Sequence, residues 1–425
     1  MPTTSETASA HLGRLTAGGP PSEILQHLHP RFDPSSPRVP GASLASAEAI
    51  SRRWALLSPD EGVRAALWSG NPLEEFSKNI ENVIGSISLP LAIAGPLRVN
   101  GCAARDDYYV PLATTEAALV ASYTRGCQLI SESGGCTTLI LGEGVSRAPG
   151  FAFSDLREVG AFLTWALTQK ETFAARAEST TSHGKLIDMR FTVEGNHVYV
   201  TFEYFTADAA GQNMVTIATQ AICDYIAEHS PVKPRHLFVE SNLSGDKKAS
   251  AQSFQTVRGR KVTAECLIPA DGLAKRLHTD ANTLEEYWRM SALGGVLSGT
   301  IGVQGHYANG LAALFLATGQ DAACVSEAAV GVTRFEARPD GSLYAAVTLP
   351  NLIVGTVGGG TSLPTQSACL DILGLRGSGH ARALAEVAAA LALAGELSII
   401  GALAAGHFTR AHAKLARHKP SHGIP

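Results

Sequence analysis

Apolar and polar positions divide the chain into segments of different period. Residues 46–69 carry helix-forming Ala, Glu, Arg and Leu, which predicts a small helical N-terminal unit. Between Leu89 and Leu97, Pro and Gly interrupt an apolar run, so strand and tight turn are expected to alternate. Val120, Tyr123, Cys127 and Ile130 recur at helical spacing, in step with Glu116. That spacing predicts a helix from near Thr115 with Glu116 in its first turn, on the apolar face. Leu311–Thr318 reads as an apolar helix broken at Gly319-Gln320-Asp321, and Thr348–Val354 as a strand. The most apolar region, Ala381–Gly406, is interrupted by Glu386 and Glu396. Its unbroken apolar stretches fall short of the roughly 20 residues a membrane span needs. A buried helix or helix pair is expected there, and no membrane insertion.

The stretch from Gly144 to Glu240 has its own organisation. A short strand around 145–153 precedes a helix opening at Ser154-Asp155 and running towards Lys170. Residues 185–193 and 197–205 alternate around a Glu194-Gly195-Asn196 turn, which is a hairpin signal. A helix from Gln212 to about Glu228 and a strand over Leu237–Val239 complete the order β-α-β-β-α-β. That order is the ferredoxin-like split unit, read as an inserted domain in an α+β chain.

Composition narrows the function classes. The chain has 425 residues, 45% hydrophobic and 17% charged, enough for a large core and two or three domains. The net charge is −4, without a basic stripe, which argues against nucleic acid as a partner. The seven cysteines form no CxxC pair. They suit a reducing cytosol and offer no zinc site, so no metal is expected. Residues 1–40 are rich in Ser, Thr, Pro, Gly and Ala without an apolar h-region, as in a mobile arm rather than a signal peptide.

Candidate chemistry centres on Ser241–Ser250, which gathers an amide, hydroxyls, Asp246, Lys247 and Lys248 around Gly245. It follows apolar residues that read as the end of a buried strand. A lysine held there can stabilise a developing oxyanion; the plainer alternative is a solvated turn. Glu116 is either a helix-start carboxylate complementing the dipole or a functional acid needing a partner. The helix after Asp208-Ala209-Ala210-Gly211 either receives a phosphate or is an ordinary junction. Arg258-Gly259-Arg260-Lys261 reads as a solvated basic hairpin turn, with a phosphate-rich ligand as the alternative. Gly355–Thr361 matches neither a dinucleotide fingerprint nor a Walker loop, but its glycines could offer backbone N–H groups to a ligand. His407 and His412 lie about 140° apart on a helix and cannot share a metal.

Six motifs in order carry a resemblance. They are Glu81–Gly85, Val110–Ser122, Asp246-Lys247-Lys248, Gly319–Ala323, Gly355–Thr361 and the run Gly395–Ser398 with Ala404–His407 and His412. Together they resemble the catalytic portion of the 3-hydroxy-3-methylglutaryl-CoA reductase (HMG-CoA reductase) family, in its biosynthetic class I form, over roughly residues 75 to 415. The resemblance implies reduction of the thioester to mevalonate and free CoA with two NADPH. It implies an arm (1–40), a helical N-domain (41–84) and a large substrate domain around a central helix (85–147 and 241–425). The small domain (148–240) would then bind the nucleotide.

The resemblance also assigns residues. Lys247 would stabilise the oxyanion and Glu116 would donate a proton. Asp321, buried, would tune both of them, and His412 would protonate the CoA thiolate. Arg147, Asn242, Asp246, Lys248 and Asn309 would hold the acyl group. Asp208, Gly211, Asn213, Met214, Gly358 and Gly359 would contact the nucleotide. A homodimer or homotetramer with the active site between subunits, and a cytoplasmic location, are implied as well. Ser182 stands where many relatives place an Arg against the 2′-phosphate of NADPH, and Ala207 where a Gly is usual, so NADH remains open. A related reductase acting on a different acyl-CoA thioester is the alternative function.

Overall fold

The structure, a computed structural model, describes residues 4–16, 46–59, 61–67 and 79–406, with short pieces at 30, 32, 36–41 and 76. The chain divides into two compact units, Met1–Ser86 and Ile87–Pro425. Within the span read as an arm, α1 (Ser5–Thr16) is helical. The first unit also contains α2 (Ala47–Leu57) and α3 (Glu61–Leu67). Ser46 caps α2 through the Ala49 N–H, as its β-region backbone favours. Ile50 and Trp54 of α2 bury against Val83. The buried Arg53 guanidinium donates to the carbonyls of Pro40 and Val83, and Trp54 Nε1 to that of Ile84. The Glu81–Gly85 motif is thereby pinned along α2.

The second unit is built on one mixed sheet. A hairpin, β1 (Leu91–Asn100) and β2 (Arg105–Ala113), carries a bulge between Ala94 and Leu97. The Pro and Gly there interrupt one continuous strand's register instead of ending it. After α4 (Leu119–Glu132), the long strand β3 (Cys136–Arg147) runs through the molecule. Its first part pairs antiparallel with β8 (Gly259–Ile268), and residues 145–147 pair with β6 (His197–Phe205). Around β6 lie β5 (Lys185–Glu194), the short β4 (Gly150–Ala152) and β7 (His236–Phe238). The local order β7-β4-β6-β5 is antiparallel throughout. Three helices accompany it: α5 (Leu156–Ala166), capped by Asp155, α6 (Lys170–Glu178) and α7 (Gln212–His229). On the other side the sheet continues past β8 through strands β11 (Leu343–Leu352), β10 (Gly331–Ala337) and β9 (Gly302–Val303). Helices α8 (Ala270–Leu277), α9 (Ala281–Ser298), α10 (Tyr307–Thr318), α11 (Val325–Ala328) and α12 (Pro364–Ile372) are interspersed with these strands.

The apolar C-terminal region is one helix, α13 (Ala381–Ala404), buried on nearly every side. It is long and apolar enough to cross a membrane, yet it packs against β8, β11, β3, α4 and α10. Small residues allow this closeness: a Cβ on Gly126 of α4 would sit 1.9 Å from the Ala394 carbonyl oxygen. The two carboxylates in the helix are fully buried and satisfied by backbone. Glu386 accepts the consecutive N–H groups of Cys102, Ala103 and Ala104. Glu396 accepts those of Gly305 and His306, together with the Thr333 hydroxyl. They fasten loops to the central helix, which is why ionisable groups are tolerated there.

Candidate active site

The loop 241–248 follows β7, which is a half-exposed sheet-edge strand and not the buried strand expected. Asn242, Gly245 and Lys247 all adopt left-handed backbone, with φ of 67°, 72° and 55°. For a lysine this is uncommon and needs outside support. Lys247 Nζ pairs with Asp321 Oδ2 at 2.8 Å. The ammonium is 41% exposed and the carboxylate 40%, so neither is buried as the sequence reading had it. Asp321 follows the left-handed Gly319 that ends α10, and its other oxygen accepts the Ala323 N–H. That geometry holds the carboxyl at the surface end of the helix. Asp321 raises the Lys247 pKa above its usual value, chiefly through their hydrogen bond. Lys248 folds back onto the Asp246 carbonyl at 2.9 Å.

Glu116 precedes its helix instead of lying in it. Ala118 has φ 70°, a left-handed turn through which a right-handed helix cannot extend, so α4 starts at Leu119. The Glu116 carboxylate is exposed and accepts both Asn309 Nδ2 contacts, at 3.1 and 2.9 Å. Asn309 is in the first turn of α10, whereas Asp321 follows its last. Nine residues from Asn309 to Thr318, at about 1.5 Å each, put roughly 14 Å between the two ends. Within one chain the Glu116–Asn309 pair and the Lys247–Asp321 pair are therefore separate.

The glycine motifs converge on the Lys247 side. Ala209 bridges Val357 in parallel fashion, and a Cβ on Gly355 would lie 2.5 Å from the Ala210 nitrogen. The buried Gln320 amide donates to the Gly355 carbonyl and accepts its N–H, tying the loop to the residue before Asp321. Gly358 and Gly359, with φ of 76° and 55°, turn at the surface. Gly211 stands at the α7 N-cap with φ 80° and no side-chain cap, leaving the first-turn N–H groups free of one. Asn213 is exposed in that first turn, and Met214 Sδ accepts the Thr181 hydroxyl. Asp208 is committed to backbone: its two oxygens accept the Gly379 and Ala381 N–H groups at the start of α13, where the helix dipole favours an anion.

Beneath the loop is a charged network, of which Arg258 and Arg260 are expected from the sequence in a solvated basic turn. Arg258 and Arg260 are buried, not parts of a basic turn. Their alternation with Val262, Ala264, Cys266 and Ile268 puts them on the inward face of the β8 segment, a period-two signal present in the sequence. Arg258 bonds Glu327, Asp246, the Gln212 side chain and the Ser146 carbonyl. Arg260 holds Glu143 and the carbonyls of Val354 and Ala207. Arg147 is likewise enclosed, by Glu240, Asp246 and Gln212, with only its Nε unpartnered. Burial would raise the Asp246 pKa, but the Arg258 and Arg147 guanidiniums outweigh it and hold the carboxyl below its usual range. Asn242 receives its place from Glu240, which accepts its N–H at 2.7 Å. His412 lies outside the described residues. Among the described residues no group of His, Cys, Asp and Glu could hold a metal.

Comparison with known proteins agrees with this architecture. Residues 49–417 match the family described as hydroxymethylglutaryl-coenzyme A reductase. The 3-hydroxy-3-methylglutaryl-coenzyme A reductase of Haloferax volcanii is 44% identical over 354 residues, covering 82% of this chain and 87% of that one. The enzyme of that name from Halobacterium salinarum is 46% identical over 344 residues, covering 80% and 84%. Among solved structures, the class II reductase from Streptococcus pneumoniae, bound to NADPH in open conformations, superposes with a TM-score of 0.64. It is 20% identical and the match spans 85% of this chain and 97% of that one, a likeness of fold. By the family match over residues 49–417 and these relatives, the chain belongs to the hydroxymethylglutaryl-coenzyme A reductase family.

Proposed function

We propose that this chain reduces hydroxymethylglutaryl-CoA to mevalonate and free CoA, with Lys247 as the cation at the reacting carbonyl. The observation that carries this is the Lys247–Asp321 pair beside the convergence of the 208–212 turn, the Gly355–Gly360 loop and Gln320. These glycines and the α7 N-terminus would hold NADPH, which when bound would supply one hydride for each of two reductions. The fit is favourable: Gly211 leaves the helix start without a side-chain cap, and Gly358 and Gly359 keep backbone exposed.

In each reduction hydride adds to the carbonyl carbon and negative charge develops on its oxygen, which the Lys247 ammonium lies ready to neutralise. The hydrogen bond from Asp321 raises that ammonium's pKa further. Glu116 delivers a proton to the aldehyde-stage oxygen, and His412 protonates the departing CoA thiolate. Arg147, Asn242, Asp246, Lys248 and Asn309 form or support the acyl site. In this reading residues 148–240 act as the nucleotide-binding domain and residues 85–147 with 241–425 as the substrate domain.

Glu116 and Lys247 serve one substrate only if a second copy of the chain brings its own pair alongside. Helix α9 supports such pairing: Leu293, Val296 and Leu297 are 67%, 76% and 89% exposed along one stripe. A homodimer is the minimal active unit, and a homotetramer is compatible with it. A cytoplasmic location fits the seven free cysteines.

Cofactor oxidation on adding hydroxymethylglutaryl-CoA tests the proposal, with NADPH and NADH side by side. Consumption of two NADPH per thioester is expected, abolished in Lys247→Ala. Turnover only with another acyl thioester would refute the substrate assignment, and faster turnover with NADH would refute the cofactor preference.

A further inference from the structure

The Lys247 ammonium is held at its tip by Asp321, but its backbone needs a separate hold. Its left-handed φ of 55° is maintained by one contact from the protein interior: Glu327 Oε1 accepts the Lys247 N–H at 3.1 Å. Glu327 lies on α11, three residues beyond the short helical turn that Asp321 caps. Its carboxylate is fully buried, and its second oxygen accepts Arg258 Nε at 2.7 Å. The Arg258 side chain is 2% exposed. Its Nη2 reaches Asp246 Oδ1 at 2.8 Å, and Nη1 reaches the Ser146 carbonyl on β3. The planar fork therefore reads three fixed directions at once, which a flexible ammonium could not do. One buried ion pair thus grips Lys247 through its N–H and its preceding residue through a carboxylate, and keys both to the sheet.

We propose that Arg258 and Glu327 are positioning residues that set the backbone of Lys247 and so aim its ammonium at the reacting carbonyl. This rests on the reading of Lys247 as the oxyanion cation. Both side chains are enclosed, so they act through the loop and not on the substrate directly. A buried ion pair is weak as a source of stability, since its desolvation offsets its attraction, whereas its fixed geometry suits it to holding a strained loop. Its value is then in rate, through the placement of a reacting group.

Kinetics of purified variants test this. In Arg258→Met/Glu327→Met both charges leave together and Asp246 keeps Arg147 at 2.9 Å, so no buried ion is left without a partner and the fold is expected to be retained. The expected result is a melting temperature close to that of the parent and a thioester KM that changes much less than kcat, since Asp246 keeps Arg147. The kcat falls about 100-fold, the scale of an ångström-sized misplacement. The alkaline limb of kcat also moves to lower pH, because the loosened ammonium no longer rests on Asp321. Arg258→Lys keeps the charge but loses the fork, and is expected to show a smaller loss with the same direction of limb shift. A merely structural role predicts altered stability with an unchanged limb and an unchanged kcat per folded molecule. That outcome in either variant overturns the proposal. Lys247→Ala, measured in parallel, separates the two readings. Full activity there refutes the role of Lys247 itself, whereas an inactive Lys247→Ala beside an unaffected double variant refutes only the positioning role.

Discussion

Replacing Glu396 by Ala removes the acceptor that fastens the 305–306 turn to the central helix. The carboxylate takes the Gly305 N–H at 2.8 and 3.0 Å, the His306 N–H at 2.8 Å and the Thr333 hydroxyl at 2.7 Å. Thr333 keeps a second partner in Tyr307, whose hydroxyl lies 2.8 Å away. The two backbone donors keep none of the contacts that hold them now. At about 1–3 kcal/mol for the half-buried His306 donor and about 0.5–1.5 kcal/mol for the hydrogen bond of Gly305, which is exposed, the loss is about 1.5–4.5 kcal/mol. That is a large part of the roughly 5–15 kcal/mol that stabilises a typical fold. Glu396→Gln retains one carbonyl oxygen and the side-chain volume, and is expected to cost about half as much. Guanidinium titration followed by far-UV circular dichroism measures the order parent, Gln, Ala. Activity is expected to fall in the same order even where the protein is folded, because the loosened turn precedes Asn309, the partner of Glu116. An Ala variant within about 0.5 kcal/mol of the parent would show that the carboxylate does not hold the turn, a smaller change than one stranded donor costs.

Asp321→Asn removes the group that raises the Lys247 pKa, so the alkaline limb of kcat should move to lower pH. The pair is exposed and worth about 0–1 kcal/mol, so the move is small. The sign for stability follows: the raised lysine pKa contributes fully below 10.5 and its contribution is lost as pH rises through the folded value. Asp321→Asn should therefore cost at most about 1 kcal/mol at neutral pH, read by thermal denaturation. Two glycines make a contrasting pair. Gly126→Ala forces a Cβ to within 1.9 Å of the Ala394 carbonyl and should cost at least about 1–3 kcal/mol. Gly160→Ala, on the exposed face of α5 with nothing within 4 Å, should stabilise by about 0.5–1 kcal/mol. Equal melting temperatures for the two variants would contradict the close packing of α4 on α13.

Some of the site was legible because local rules were obeyed. The alternation in 185–205 marked a hairpin, and the Asp155 side chain sat where a helix cap belongs. The glycine loops and the Asp-Lys-Lys triplet were ambiguous by residue type, with plain turns as the alternative, and only the ordered set of motifs pointed to chemistry. Arg258 and Arg260 were misplaced because charge was weighed above period: their spacing matched the buried positions of β8, while their identity suggested solvent. Glu116 was misplaced for the opposite reason. Helical spacing was extended backwards through Ala118, whose left-handed backbone has no residue signature.

By itself the sequence determined the α+β class, the apolar central segment and the family, since these depend on periodicity and on residues close together in the chain. Only the tertiary structure decided which charges meet. Glu386 and Glu396 look like interruptions of an apolar run, but loops 80 or more residues away in sequence supply their hydrogen bonds. Likewise Lys247 acquires its ion partner from Asp321 and its backbone hold from Glu327, across 74 and 80 positions. A charged side chain's environment is set by what packs around it, and no local pattern encodes that.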